Sequence, residues 1–344
     1  MIDRDKIIEK YADNVIKSAD DEGIEILTQE HPFDKEKSEQ AKQAVCNLMD
    51  IDVNEADLAV EKHSLEIVTE KIKRKFKKIY NVELDSVKII TGRTGKTVNA
   101  FLLGDRLIID TLTECMIHEL LTIIFVWSLH SEEKSRYGRF FNYLTSVLYT
   151  VSSCGLPVNI YSYEYIKQAL IDKSNVLNTA ALCEYFIYYF TIAHELAHKY
   201  LDVANIAVKG KFQEEYMCDS IAYRVVLEMM LDENECVVEH RELMEYCFFA
   251  PMMLIDCMEL LYKFNKSIDC EFKANDMVHP ELKKRKENLF SIAYDESYCF
   301  DRDEGENLYN CFLDVLEYYE EELLYRKQSG VLKDLLAYLE GEGK

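Results

Sequence analysis

His194-Glu195-Leu196-Ala197-His198 places two imidazoles and a carboxylate within five residues. Residues four apart on a helix share a face, with neighbouring Cβ atoms, so both histidines can turn a ring nitrogen toward one Zn²⁺. Glu195 sits one step round the helix, off that axis. From there it can take a proton from a water that the metal activates, without displacing it. The surrounding run Ala180–Leu201 is apolar and helical in pattern, which would hold the motif rigidly. A zinc site needs a third protein ligand, and the next helical run offers one. Gly210 supplies a turn, after which Glu214-Glu215-Tyr216-Met217-Cys218-Asp219-Ser220-Ile221-Ala222 begins a new helix. Glu215 and Asp219 lie one turn apart on it, a spacing that suits a ligating carboxylate plus a second carboxylate that orients a histidine. Two acids on a solvated helix face would look the same in so acidic a chain; the metal reading gains from the zinc helix directly upstream.

Other motifs carry less. Gly95-Lys96-Thr97 follows a strand, but a phosphate-binding loop needs a glycine five residues before Gly95, where Ile90 stands. The plain reading is a β-turn. His118-Glu119 opens like a zinc helix and lacks the second histidine. His31, His63, His130 and His240 have no ligand-spaced partner. The basic run Lys71–Lys78 has acidic flanks and reads as a solvated helix face.

These groups must be positioned by a mostly helical scaffold. Only 11 glycines and 4 prolines occur among 344 residues, which disfavours sandwiches and disordered linkers. Helical periodicity covers about 1–80, and then roughly 112–130, 134–152, 160–172, 178–203, 213–231, 236–264, 279–294 and 306–340. Between these blocks lies the one convincing β region. Val87–Ile90, Val98–Leu103 and Arg106–Asp110 read as three strands of an antiparallel meander, with Thr91–Lys96 as a turn and Gly104-Asp105 as a hairpin. Lys plus Arg is 40 against Asp plus Glu 63, a net charge of −23 that would repel phosphate backbones and anionic lipid heads. The 11 cysteines are scattered without a C-x-x-C pair, as in reduced, buried thiols. The charged start Met1–Lys6 leads into no apolar signal core, and the longest oily run, Leu120–Leu129, is half a bilayer long. A cytoplasmic protein without membrane spans is expected.

His194-Glu195-x-x-His198 followed by Glu215-x-x-x-Asp219-x-x-Ala222 resembles the gluzincin metallopeptidases, in particular the branch containing HtpX and the CaaX prenyl-protein proteases. Val98-Asn99-Ala100-Phe101, with Gly104–Ile109 behind it, is similar to that family's Asn-Ala-Phe strand and the strand after it. His279-Pro280-Glu281-Leu282-Lys283-Lys284-Arg285 is similar to its His-Pro-x-x-x-x-Arg element. The four pieces follow the family order over roughly 87–289. The resemblance implies zinc held by His194, His198 and Glu215, with Glu195 as general base and Asp219 fixing a histidine from behind. It further implies that His279, supported by Arg285, stabilises the oxyanion. The edge strand around Asn99, Ala100 and Phe101 would take an extended peptide by β-augmentation. The chain departs from the family in having no membrane spans, in the long helical stretch about 113–178 before the zinc helix, and in Cys218 where alanine is usual. Cys218 is expected to pack as a small apolar residue, although a thiol near zinc would allow redox sensitivity.

The expectation is therefore an α+β, predominantly helical protein: a zincin-like core with a small antiparallel sheet of about three strands and extra helices. Residues 1–80 would form an N-terminal helical region, 81–295 the metallopeptidase core with its helical insertion, and 296–344 an acidic C-terminal helical region. The expected function is a zinc-dependent endopeptidase with one Zn²⁺ per chain, selective for few protein or peptide substrates. No nucleic acid is expected as a partner; a regulatory partner protein is. A zinc hydrolase of small amides, or a non-catalytic scaffold with a structural zinc, are the alternatives.

Overall fold

The structure, a computed structural model, describes residues 65–92, 100–129, 137–152, 176–231, 248–268, 282–295 and 302–339. Among them the glycine- and proline-poor sequence is realised as nine helices and three strands. In chain order these are α1 (Leu65–Tyr80), β1 (Lys88–Gly92), β2 (Ala100–Leu103), β3 (Arg106–Asp110), α2 (Thr111–Leu129), α3 (Tyr137–Ser152), α4 (Val176–Val203), α5 (Lys211–Leu231), α6 (Ala250–Ser267), α7 (Leu282–Ala293), α8 (Asp303–Ser329) and α9 (Val331–Leu339). The α+β, predominantly helical expectation holds. The helical stretches expected over 1–64, 160–172 and 236–247 lie outside the described residues. The single helix expected over 306–340 is two, because Gly330 adopts φ 83 and its N–H caps the carbonyl of Lys327. Left-handed backbone of this kind costs glycine nothing and ends a helix.

The sheet is mixed, which corrects the antiparallel meander. The Gly104-Asp105 hairpin forms as expected, with Gly104 at φ 61 in the first loop position and Leu103 opposite Arg106. β1, however, pairs with β3, and in parallel, Lys88 opposite Arg106 and Gly92 opposite Asp110. The order is β1-β3-β2. Strands adjacent in sequence usually pair, and that rule fails here because β3 has no polar face. Leu107, Ile108 and Ile109 are all buried, and a continuous apolar run needs a strand covered on both sides. The chain runs along β1, returns along β2, and the hairpin inserts β3 between them. Thr91 and Gly92, expected in a turn, finish β1.

One continuous core joins α1, the sheet and the later helices, from Val68 to Leu332. Helix α2 is apolar nearly all round and packs against α4, α3 and α8. Trp127 of α2 stacks on Tyr318 of α8 at 5.4 Å and meets Phe140 of α3 at 4.7 Å. Tyr80 of α1 lies 4.7 Å from Tyr200 of α4. Helix α2, in the segment read as an insertion, thus packs directly on α4, the helix bearing the histidines, and α8 of the C-terminal region packs on α2. Among the described residues no helix is long and apolar enough to cross a membrane.

Candidate metal centre

The site is built on an antiparallel pair, α4 and α5. Helix α4 ends in a Schellman arrangement: Asn205 takes φ 53, its N–H bonds the carbonyl of Asp202 at 3.0 Å, and the Ile206 N–H reaches back to Leu201 at 2.9 Å. The chain reverses, Gly210 at φ 94 offers its carbonyl to the Glu214 N–H, and α5 begins. Because α5 runs back along α4, later residues of one face earlier residues of the other. His198 therefore meets Glu214 and Glu215, while His194 meets Glu215 and Asp219.

His194, His198 and Glu215 present one nitrogen or oxygen each, all within 4.8 Å of one another. Glu215 Oε2 is 3.3 Å from His194 Nε2, and Oε1 is 3.6 Å from His198 Nε2. Tetrahedral ligands held about 2.0–2.1 Å from a zinc ion stand roughly 3.3–3.4 Å apart, so the spacing fits. The two rings are 5.0 Å apart and nearly perpendicular, 78°. Two imidazoles and one carboxylate are the donor set of a catalytic zinc with one position open.

Each histidine is oriented from behind by its other nitrogen. His198 Nδ1 is 3.0 Å from Glu214 Oε1. His194 Nδ1 is 2.9 Å from Asp219 Oδ1, a close contact off the axis of a straight hydrogen bond. Such carboxylates fix the tautomer that leaves Nε2 free for metal. Burial pulls the His194 pKa down, but Asp219 and Glu215 outweigh it and hold it well above its ordinary value. Burial and the neighbouring His194 lower that of His198.

Arg285 completes this chain of contacts. From α7 its Nε and Nη2 donate to the two Asp219 oxygens at 2.8 and 2.6 Å. Asp219 is fully buried and Arg285 nearly so. Burial alone would push the Asp219 carboxyl up; the guanidinium and the His194 ring reverse that and hold it at about 2. Asn288, one turn on, donates to the Tyr216 carbonyl and Ser220 Oγ, clamping α7 to α5. The guanidinium thus serves Asp219, and through it His194. His279, the other member of the expected oxyanion pair, lies outside the described residues, as does Asn99 of the expected edge strand.

Ala100 and Phe101 are described and half-buried in β2, at one edge of the sheet and packed along α4. Lys199 Nζ reaches Asp105 Oδ1 at 2.7 Å and pins the hairpin to α4 one residue beyond His198. In a two-residue hairpin the pair flanking the turn exchanges ladder bonds, so the next residue back points its N–H outward. That residue is Leu102, and its N–H hydrogen-bonds the Glu195 carboxylate. Burial pushes the Glu195 pKa up to about 7; Glu215 adds to this, while His194, Arg285 and the Leu102 amide oppose it. A general base is most effective with a pKa near the working pH.

The sequence reading did not single out Glu214, Lys199 or Asp105. The need for one orienting acid per histidine could have found Glu214, since α5 offers a carboxylate on each side of Glu215. Cys218 is fully buried, and burial pushes its thiol pKa up, so it packs as a small apolar residue. In comparisons with known proteins, no family model, curated protein or solved structure matches the chain.

Proposed function

We propose that the protein is a zinc-dependent endopeptidase with a zincin-like core, using His194, His198 and Glu215 as metal ligands. The observation that carries this reading is the convergence of two imidazole Nε2 atoms and one carboxylate, with an acid behind each ring and an intact Glu195 beside them. When bound, zinc supplies a Lewis acid and lowers the pKa of water from 15.7 to about 7. Glu195 accepts the proton of the attacking water and delivers it to the leaving amine. Its carboxylate is held for this by the Leu102 N–H. Arg285 and Asp219 hold His194 in the ligating orientation, and Glu214 does the same for His198. The remaining outward groups of β2 pair with an extended substrate backbone. His279 stays the candidate for oxyanion stabilisation.

The edge strand separates this reading from a hydrolase of small amides, which would have no use for it. Zinc-loaded protein is expected to cut internal bonds of unstructured eight- to ten-residue peptides and to lose that activity with a chelator. Turnover of short acyl-amides at equal or greater kcat/KM would favour the small-amide reading instead.

A further inference from the structure

Helix α7 carries Arg285 to the metal centre, yet little apolar packing holds the half of it that does so. Its buried apolar residues, Leu289, Ile292 and Ala293, all lie beyond Arg285. From Leu282 to Glu287 only Arg285 is buried. Polar side chains must therefore fix this end of the helix, and two sets do. Arg285 and Asn288 reach α5 on one side. On the other, Lys286 Nζ donates to Asp256 Oδ1 of α6 at 2.5 Å. Asp256 is itself held: it is buried, and its second oxygen accepts a hydrogen bond from the Tyr309 hydroxyl of α8. The buried Tyr309 ring stacks on Phe249 and Phe312 at 5.6 and 6.4 Å, which locks the hydroxyl in place. The mechanism above uses none of Asp256, Lys286 and Tyr309.

We propose that Asp256 is a positioning residue for the metal centre, acting through Lys286 to set the rotation of α7 and so the reach of Arg285 to Asp219. Arg285 and Lys286 are consecutive, so they leave the helix about 100° apart. One anchor leaves a helix free to roll about its axis; two anchors that far apart do not. A helix with its side chains has an outer radius of about 5–6 Å, so a roll of about 10° moves a side-chain tip by about 1 Å. That shift would take the 2.6 and 2.8 Å bonds from Arg285 to Asp219 past the ~3.2 Å reach of a good hydrogen bond. Asp219 would then lose the partner that holds it against His194. The line of contacts from Tyr309 to His194 thus crosses α8, α6, α7, α5 and α4. The Lys263–Glu320 ion pair ties the same α6 to the same α8 at 2.8 Å without involving α7, which makes it the control.

The proposal rests on the zinc ligands of the peptidase reading, and its readout is zinc affinity, which needs no cleavage. Metal-free full-length protein would be titrated with Zn²⁺ against a chelating dye. Asp256→Asn and Lys286→Met should each weaken binding by about 3–10-fold, part of the 10–100-fold that an orienting partner contributes. In the Asp219→Leu/Arg285→Met background α7 no longer acts on His194. There, adding Asp256→Asn should change the affinity by less than about twofold. A residue that only supported the fold would weaken binding equally in both backgrounds. Glu320→Gln, which breaks the other tie between α6 and α8, should bind zinc as the wild type does. If Asp256→Asn does not fold, Lys286→Met, at a half-buried position, carries the same comparison in the two backgrounds. Unchanged affinity in the single variants, or an equal loss in both backgrounds, overturns the positioning role and leaves the peptidase reading standing. The expected coupling in a protein that binds zinc and cuts no peptide keeps the positioning role and sinks the peptidase reading.

Discussion

Glu195→Gln is expected to bind zinc as the wild type does and to lose peptide hydrolysis by about 10³-fold in kcat. The two side chains have nearly the same shape, and Gln can neither accept the water proton nor hand it to the leaving nitrogen. Positioned acid–base groups contribute about 10²–10⁴-fold, and one group here serves in both proton transfers. Glu195 lies beside the ligand set and outside it, so the donor atoms of His194, His198 and Glu215 stay in place. Single-turnover cleavage of one peptide, measured beside zinc content, reads both halves of this expectation. A variant that keeps activity within about threefold of wild type would remove Glu195 from the chemistry. A variant that loses its zinc would mean the carboxylate supports the metal.

Asp219→Ala is expected to lower folding stability by about 3–5 kcal/mol, because it leaves the buried Arg285 guanidinium without its partner. Replacing both members with apolar residues, Asp219→Leu with Arg285→Met, should restore most of that stability, since a buried pair contributes little net. Zinc affinity should stay low in the double variant, by about 10–100-fold, because His194 has lost the acid that orients it. A double variant as unstable as the single one would show that the pair matters for more than mutual neutralisation. The same contact sets an acid limit in the wild type. A carboxyl held at about 2 instead of 3.8 is more ionised in the folded state. Its contribution is present above pH 4 and lost as pH falls from about 4 toward 2, at about 2 kcal/mol in total. Urea melts of the metal-free protein over that range would follow it, and Asp219→Leu/Arg285→Met should lack this component.

The helix that carries His194 and His198 was legible because its signal is local. Four-residue spacing, an apolar helical run and a turn at Gly210 needed no knowledge of the rest of the chain. Glu215 and Asp219 were legible for the same reason, both lying on the next helix at one-turn spacing. Arg285 had a motif to mark it but not a partner, because 66 residues separate it from Asp219. The three strands were also readable as short apolar runs bounded by turn signals, Gly104-Asp105 among them. Their order was not, since sequence adjacency argued for β1 beside β2. The unbroken Leu107-Ile108-Ile109 run was the clue that β3 is central, and reading the three strands as a meander in chain order gave the wrong sheet. Glu214 was hidden by abundance: in a chain with 63 acids, one more acid beside Glu215 carries no signal until the antiparallel packing sets it against His198.

Zinc titration of the metal-free protein, with X-ray absorption of the loaded form, tests the centre most directly. One equivalent should bind, with nitrogen and oxygen ligands at about 2.0–2.2 Å and no sulfur. His198→Ala and Glu215→Ala should each lose that equivalent while staying folded by circular dichroism. No bound zinc in the wild type, a sulfur ligand near 2.3 Å, or full binding by Glu215→Ala would contradict the assignment of these three residues as the metal site.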